Sequence, residues 1–143
     1  MIFTAQDLAL TAGFKTAAKF TNEMHRYGLP FGTGVRVGNA KRYGTIDLAK
    51  AIMMSRLRAF RVPVAQHKDL IDQIDESALA SALDQFEAGK IECVIVGIPS
   101  WAELDEYSGV FTSRKAALEA LTEADFILID LGEVTQAYLQ GVM

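Results

Sequence analysis

The chain has 143 residues, half of them apolar, with a formal net charge of −4. That length supports one compact domain or two very small ones, and the apolar content excludes a disordered chain. No apolar run is long enough to span a bilayer. The single cysteine, Cys93, excludes an internal disulfide and a multi-cysteine metal site.

Met1 leads into IFTAQDLAL with no basic leader or cleavage site, so a cytoplasmic protein without membrane association is expected. The modest net charge hides an asymmetry. Residues 1–75 hold eleven Lys or Arg against six Asp or Glu, a charge of +5. Residues 76–143 hold three against twelve, a charge of −9. A basic module that meets a polyanion, joined to an acidic one that does not, fits this division.

In chain order, residues 3–12 read as a helix with Thr4 as N-cap and Asp7 as the capping-box acid. Leu8 and Ala9 face inward, and Gly13 stops the helix. Residues 13–29, GFKTAAKFTNEMHRYGL, then read as a second helix with two faces. Lys15, Lys19, Asn22 and Arg26 form a stripe with no acid in it. Ala17, Phe20, Met24 and Tyr27 form the apolar side. Helix, glycine turn and second helix is the spacing of a helix-turn-helix, whose second helix enters the major groove. An ordinary solvated surface helix is the competing reading, and the neighbouring elements weigh against it.

Gly28, Leu29 and Pro30 end that helix. Residues 31–43, FGTGVRVGNAKRY, predict a β-hairpin with its turn at Gly32–Gly34 or at Gly38-Asn39. Arg36, Lys41 and Arg42 make it basic, as in a wing laid along a phosphate backbone or minor groove. A plain connecting hairpin is the alternative. A phosphate-binding glycine loop has little weight, because no Gly-Lys-Ser/Thr follows.

Residues 45–61 predict an amphipathic helix capped by Thr45. Ile46, Ala49, Met53, Leu57 and Phe60 are buried, and Lys50, Arg56, Arg58 and Arg61 lie outside. Pro63 takes the first position of a helix over 63–74 that uses Val64, Leu70, Ile71 and Ile74. His25 and His67 are surface or partly packed residues, without partners for imidazole catalysis.

In the acidic half, residues 76–89 predict a helix stopped by Gly89, with Ala78, Leu79, Ala82, Leu83 and Phe86 inward. Residues 91–98 and 126–131 are apolar strands, expected side by side and parallel. Between them lie a short segment from Pro99 with Trp101 and Leu104, a strand at 109–111, and a helix capped by Ser113. A closing helix follows from Glu133. Asp130 and Glu133 at a strand end, with Ser100 past the first strand, are the only catalytic candidates. A helix start favoured by its dipole is the stronger reading of that acidic pair. Cys93 is expected to be an inert buried residue, and Trp101, Tyr107 and Phe111 core or partner-surface residues.

Phe3, Thr4, Leu8, Ala9 and Gly13, followed by Arg42, Tyr43, Asp47, Leu48 and Lys50 and by Arg56, Leu57 and Arg58, resemble the MerR-type winged helix-turn-helix DNA-binding domain. The resemblance covers residues 1–75 and implies a helix-turn-helix, a wing and a helix pair. The chain departs from the family at residues 17–28, which replace its Arg-Tyr-Tyr segment, and at Gly44, where a Ser cap is common. An excisionase-like or phage-repressor version of the same winged helix fits equally. The expected fold class is therefore α+β or α/β: an N-terminal winged helix-turn-helix, residues 1–75, and a small acidic α/β unit, residues 76–143.

The expected function is that of a sequence-specific transcriptional regulator on double-stranded DNA, not an enzyme, with no cofactor and no metal. Lys15, Thr16, Lys19, Asn22 and Arg26 are expected in the major groove, Asn22 at an adenine. Arg36, Lys41, Arg42 and Tyr43 are expected at phosphates, and Arg56 and Arg58 either extend that track or solvate their helix. The acidic unit is expected to form a homodimer or to take a protein or small-molecule effector. A protein–protein adaptor and a small α/β enzyme or ligand sensor are the readings kept beside it.

Overall fold

Thr4 precedes the first helix with an extended backbone and a complete capping box. Its hydroxyl accepts from Asp7 N at 3.1 Å, and its own N–H donates to Asp7 Oδ2 at 2.8 Å. The computed structural model describes residues 3–28, 31, 35–37, 40–99, 109–121, 126–132 and 135, with the backbone alone at 35–37, 40–42, 99 and 126. Among them it is an α+β chain with six helices, a two-stranded hairpin and a three-stranded antiparallel sheet. The chain separates into two compact units, Met1–Ile71 and Asp72–Met143. No helix of the described residues is long and apolar enough to cross a membrane.

The first unit begins with helix α1, Ala5–Thr11, which buries Leu8 and Ala9. It ends in a pair of reversed hydrogen bonds, Gly13 N to Leu10 O and Phe14 N to Ala9 O, with Gly13 at φ +90°. This is a Schellman stop, and glycine takes that left-handed φ without a Cβ clash. Helix α2, Ala17–Tyr27, starts at an extended Thr16 and ends at a left-handed Gly28. The expected start at residue 13 was thus too early, because Thr16 holds the cap and Gly13–Lys15 form the turn.

Strands β1, Val35–Val37, and β2, Ala40–Arg42, form the expected hairpin. The register pairs Val37 with Ala40, which leaves residues 38 and 39 between the strands. The alternative turn at 32–34 lies outside the described residues. Phe3 and Tyr43 exchange two backbone hydrogen bonds of 2.8 Å, tying the base of the hairpin to the start of α1.

Helix α3, Thr45–Ala59, packs on α1 and on helix α4, Val64–Ile71. Its cap is Gly44, not Thr45: the Gly44 N–H donates to Asp47 Oδ2 at 3.2 Å. Its buried face is broader than a single stripe and takes in Leu48, Ala51, Ile52 and Met54 as well as Ala49, Met53 and Leu57. Lys50, expected outside, is 9% exposed. Helix α3 has neighbours on more than one side, so its lysine stem is packed too. Phe60, expected inside, is 63% exposed. It is the C-cap residue, and the Schellman bonds Arg61 N to Arg58 O and Val62 N to Leu57 O turn the chain there. Arg61 takes the left-handed place at φ +61°. Pro63 precedes α4 rather than opening it, and its carbonyl accepts from Gln66 N.

In the second unit, Asp75 caps helix α5, Glu76–Glu87, through a 3.0 Å bond from Ala78 N. Strands β3, Ile95–Pro99, β4, Val110–Phe111, and β5, Phe126–Asp130, form one sheet in the order β4-β3-β5. Both outer strands run antiparallel to β3, which corrects the expected parallel pairing of β3 with β5. The apolar run at 93–98 is buried because β3 is central, and a central strand reads alike in either direction. Strand β4 supplies the extra reversal. Helix α6, Arg114–Ala120, capped by Ser113, is the crossover joining the mutually parallel β4 and β5.

Helix α6 packs on β3 and β4, and α5 packs on β4. Partners across an antiparallel pair share a face. Ile95, Phe111 and Asp130 therefore lie together on one side, where Cys93, Ile95 and Ala117 form a core with Phe111 and Leu128 against it. Val94, Val96, Ile98 and Ile129 are buried on the other. Ser100, Trp101, Leu104, Tyr107, Glu133 and most of the expected closing helix lie outside the described residues.

Candidate nucleic-acid interface

The Gly13 turn and the Thr16 cap set the direction of α2. The Thr16 hydroxyl accepts from Lys19 N at 3.2 Å, so its shown role is local, although the residue is exposed. Phe20 is fully buried and anchors the helix. Its ring meets Phe14 edge-on at 5.6 Å and Phe31 at 5.2 Å. Ala17, Met24 and Tyr27 are half-buried on the same side.

That anchorage turns Lys19, Asn22 and Arg26 outward together, and all three are exposed. Their spacing of three and four residues puts them on one helical face. Lys15 is exposed too, but it belongs to the turn before the helix. Arg26 lies 5.3 Å from the centre of the Tyr27 ring, and with His25 it sits in the last turn, where cations suit the helix dipole. Glu23 was missed in the sequence. It flanks the stripe, half-buried, with a buried Oε2 that has no hydrogen-bond partner. Its position four residues after Lys19 was the available signal.

The hairpin register sets Arg36 opposite Lys41 and Arg42 opposite Val35, so three bases fall within two three-residue strands. Tyr43, expected at a phosphate, is 5% exposed. Burial, and then the Asp47 carboxylate, push its hydroxyl pKa above the ordinary value. Tyr43 is thus a neutral core residue beneath the hairpin.

Arg56 and Arg58 are both exposed on α3, yet Arg58 is engaged. Its guanidinium carbon stands 4.6 Å from the centre of the Phe14 ring, and Nη1 donates to the Ala12 carbonyl at 3.4 Å. His67, expected near the surface, is fully buried on α4. A carbonyl only accepts, so His67 Nε2, 2.9 Å from Val62 O, carries the hydrogen. The buried Nδ1 has no partner. Burial lowers the His67 pKa below 6.5; the Val62 bond opposes that and Arg58 adds to it. Periodicity places a residue on a face but does not show how many helices cover it.

The acidic unit presents a different polar cluster. Arg114 N donates to Glu92 Oε1 at 3.0 Å, and its Nη1 lies 3.3 Å from Asp130 Oδ2. Asp130 Oδ1 is buried without a partner. Cys93 is 1% exposed. Burial raises its thiol pKa first, Glu92 and Asp130 add to this, and Arg114 opposes it. A thiol so held is mostly uncharged at neutral pH, hence a poor nucleophile. No group of three or more His, Cys, Asp or Glu among the described residues could hold a metal ion. Compared with protein-family models, curated proteins and solved structures, the chain matches none.

Proposed function

We propose that the unit Met1–Ile71 is a winged helix-turn-helix that binds double-stranded DNA, and that the chain is a sequence-specific transcriptional regulator. The observation that carries this is the α2 stripe. Lys19, Asn22 and Arg26 stand exposed on one face of a helix whose opposite face is anchored by buried Phe20. Helix α2 follows α1 through a tight glycine turn, and a basic hairpin comes next in the chain. The resemblance of residues 1–75 to MerR-type domains supports the same reading.

In this reading α2 is the recognition helix. Asn22 is suited to adenine by a two-bond amide contact, and Lys19 and Arg26 to guanine or phosphate. Lys15 and Thr16 approach from the turn. Arg36, Lys41 and Arg42 form a wing on the phosphates, and Arg56 extends that track. Tyr43 holds the wing from beneath. The acidic unit is repelled by phosphate and is left to homodimerisation or an effector. No catalysis or cofactor is required.

The test is binding of the full chain to a random duplex library across a salt series. Enrichment of a common sequence is expected, with log affinity falling linearly against log salt by about 0.9 per phosphate neutralised. Retention of DNA that does not change with salt, or no retention at all, would rule the function out and favour a protein-binding adaptor.

A further inference from the structure

We infer that Arg58 is a positioning residue for α2, acting through the Phe14–Phe20 ring pair and not as a phosphate ligand. As a statement about DNA it rests on the proposed function; as a statement about α2 it stands alone. Three observations converge on one turn. The Arg58 guanidinium covers the Phe14 ring at 4.6 Å. Its Nη1 donates to Ala12 O, a carbonyl at the C-terminal end of α1, where a cation is favoured. A Cβ added at Gly13 would come within 3.3 Å of the same nitrogen, so the small residue leaves room for the guanidinium.

From there the contact continues inward. Phe14 meets Phe20 edge-on, and Phe20 is the residue by which α2 is anchored. Arg58 thus reaches from α3 to the turn, and acts on α2 only through the Phe14 ring that meets Phe20. The far end of α2 has a parallel support. A Cβ at Gly28 would meet the Lys68 stem of α4 at 3.4 Å. Arg58 of α3 therefore braces the turn that leads into α2, and Lys68 of α4 lies beside its C-cap. A planar cation suits the Arg58 place, because it stacks on a ring while donating in its own plane. Lysine offers a charge without that plane.

The test compares the full-length chain with Arg58→Ala and Arg58→Lys. The probes are the duplex that the wild-type chain enriches and an unrelated duplex, each titrated over a salt series. Positioning predicts that both variants lose roughly tenfold on the enriched duplex, as for a lost specific contact, with the salt slope unchanged. Binding to the unrelated duplex should hold. An equal loss on both duplexes by Arg58→Ala, with the slope reduced by about 0.9, would make Arg58 a phosphate ligand and overturn the inference. A lower melting temperature with both affinities unchanged would make it merely structural and would overturn it too.

A second arm needs no DNA. In amide spectra of the free chain, Arg58→Ala should shift Ala12, Gly13, Phe14 and Phe20. Silence at those residues removes the clamp. If the wild-type chain enriches no duplex, the DNA reading fails and this arm alone decides the inference.

Discussion

Helices α2 and α6 begin in the same way and put their charge to opposite use. Each follows a hydroxyl residue in extended conformation, Thr16 at φ −141° and Ser113 at φ −139°, whose oxygen accepts from the N–H three residues on. Each hides one side against its own unit, with Phe20 in α2 and Ala117 in α6. Beyond that they diverge. In α6 the first base, Arg114, turns its guanidinium back to Asp130 of β5 while its backbone N–H donates to Glu92, and the outward side carries Leu118 and Leu121, 62% and 43% exposed. In α2 the bases Lys19 and Arg26 face outward beside Asn22, with no ion pair to a described acid. Equal capping therefore says little about function. The informative quantity is which charges are compensated inside the unit.

Removing the α2 anchor has the largest expected effect. Phe20→Ala opens a cavity beside the Phe14 and Phe31 rings and should cost about 3–5 kcal/mol of unit stability, read by chemical denaturation. Retained stability would show that α2 is held elsewhere.

Next come the charges themselves. Lys19→Ala and Asn22→Ala should each weaken binding to an enriched duplex by about 1–3 kcal/mol, read by anisotropy. Arg114→Ala should leave that affinity alone. Its exposed pair with Asp130 should change stability by no more than about 1 kcal/mol. An effect of Arg114 as large as that of Lys19 would erase the distinction between the helices.

His67 gives a smaller, graded effect confined to the basic unit. Its folded pKa lies below the unfolded value of about 6.5, so the folded state binds fewer protons. Stability is therefore full above about pH 6.5 and falls as the pH drops below it, by at most about 1.4 kcal/mol per unit. His67→Phe should flatten that slope in denaturation curves taken at pH 5, 6 and 7. A slope that persists in the variant would assign it to other groups.

The smallest effect is at the α3–α4 corner. Arg61→Gly relieves a side chain at φ +61° and should add about 0.5–1 kcal/mol, since glycine is favoured at a Schellman stop. A loss instead would mean that the Arg61 side chain makes a worthwhile contact.

Local chemistry was readable in the chain. The Thr4–Asp7 capping box, the Gly13 and Gly89 stops, the Ser113 cap and the hairpin bases each depend on residues a few positions apart, and each lies where the sequence places it. Burial set by distant elements was not readable. Lys50 and His67 look polar and outward in any helical projection, yet other elements close over them. The direction of β5 was misjudged because Val94, Ile95 and Val96 look alike in a parallel or a central antiparallel strand. The Lys19, Asn22 and Arg26 face was legible from spacing alone. The engagement of Arg58 was not, because its partners, Ala12 and Phe14, lie more than forty residues away.

The lone buried cysteine also gives the acidic unit a built-in clock. Cys93 is sealed at 1% exposure in a chain with no other thiol. A thiol reagent can reach it only when the segment leading into β3 is transiently uncovered. The labelling rate of the unaltered chain, followed as one mass increment, therefore measures how often that unit opens. Added DNA or effector that tightens the unit would register as a slower rate.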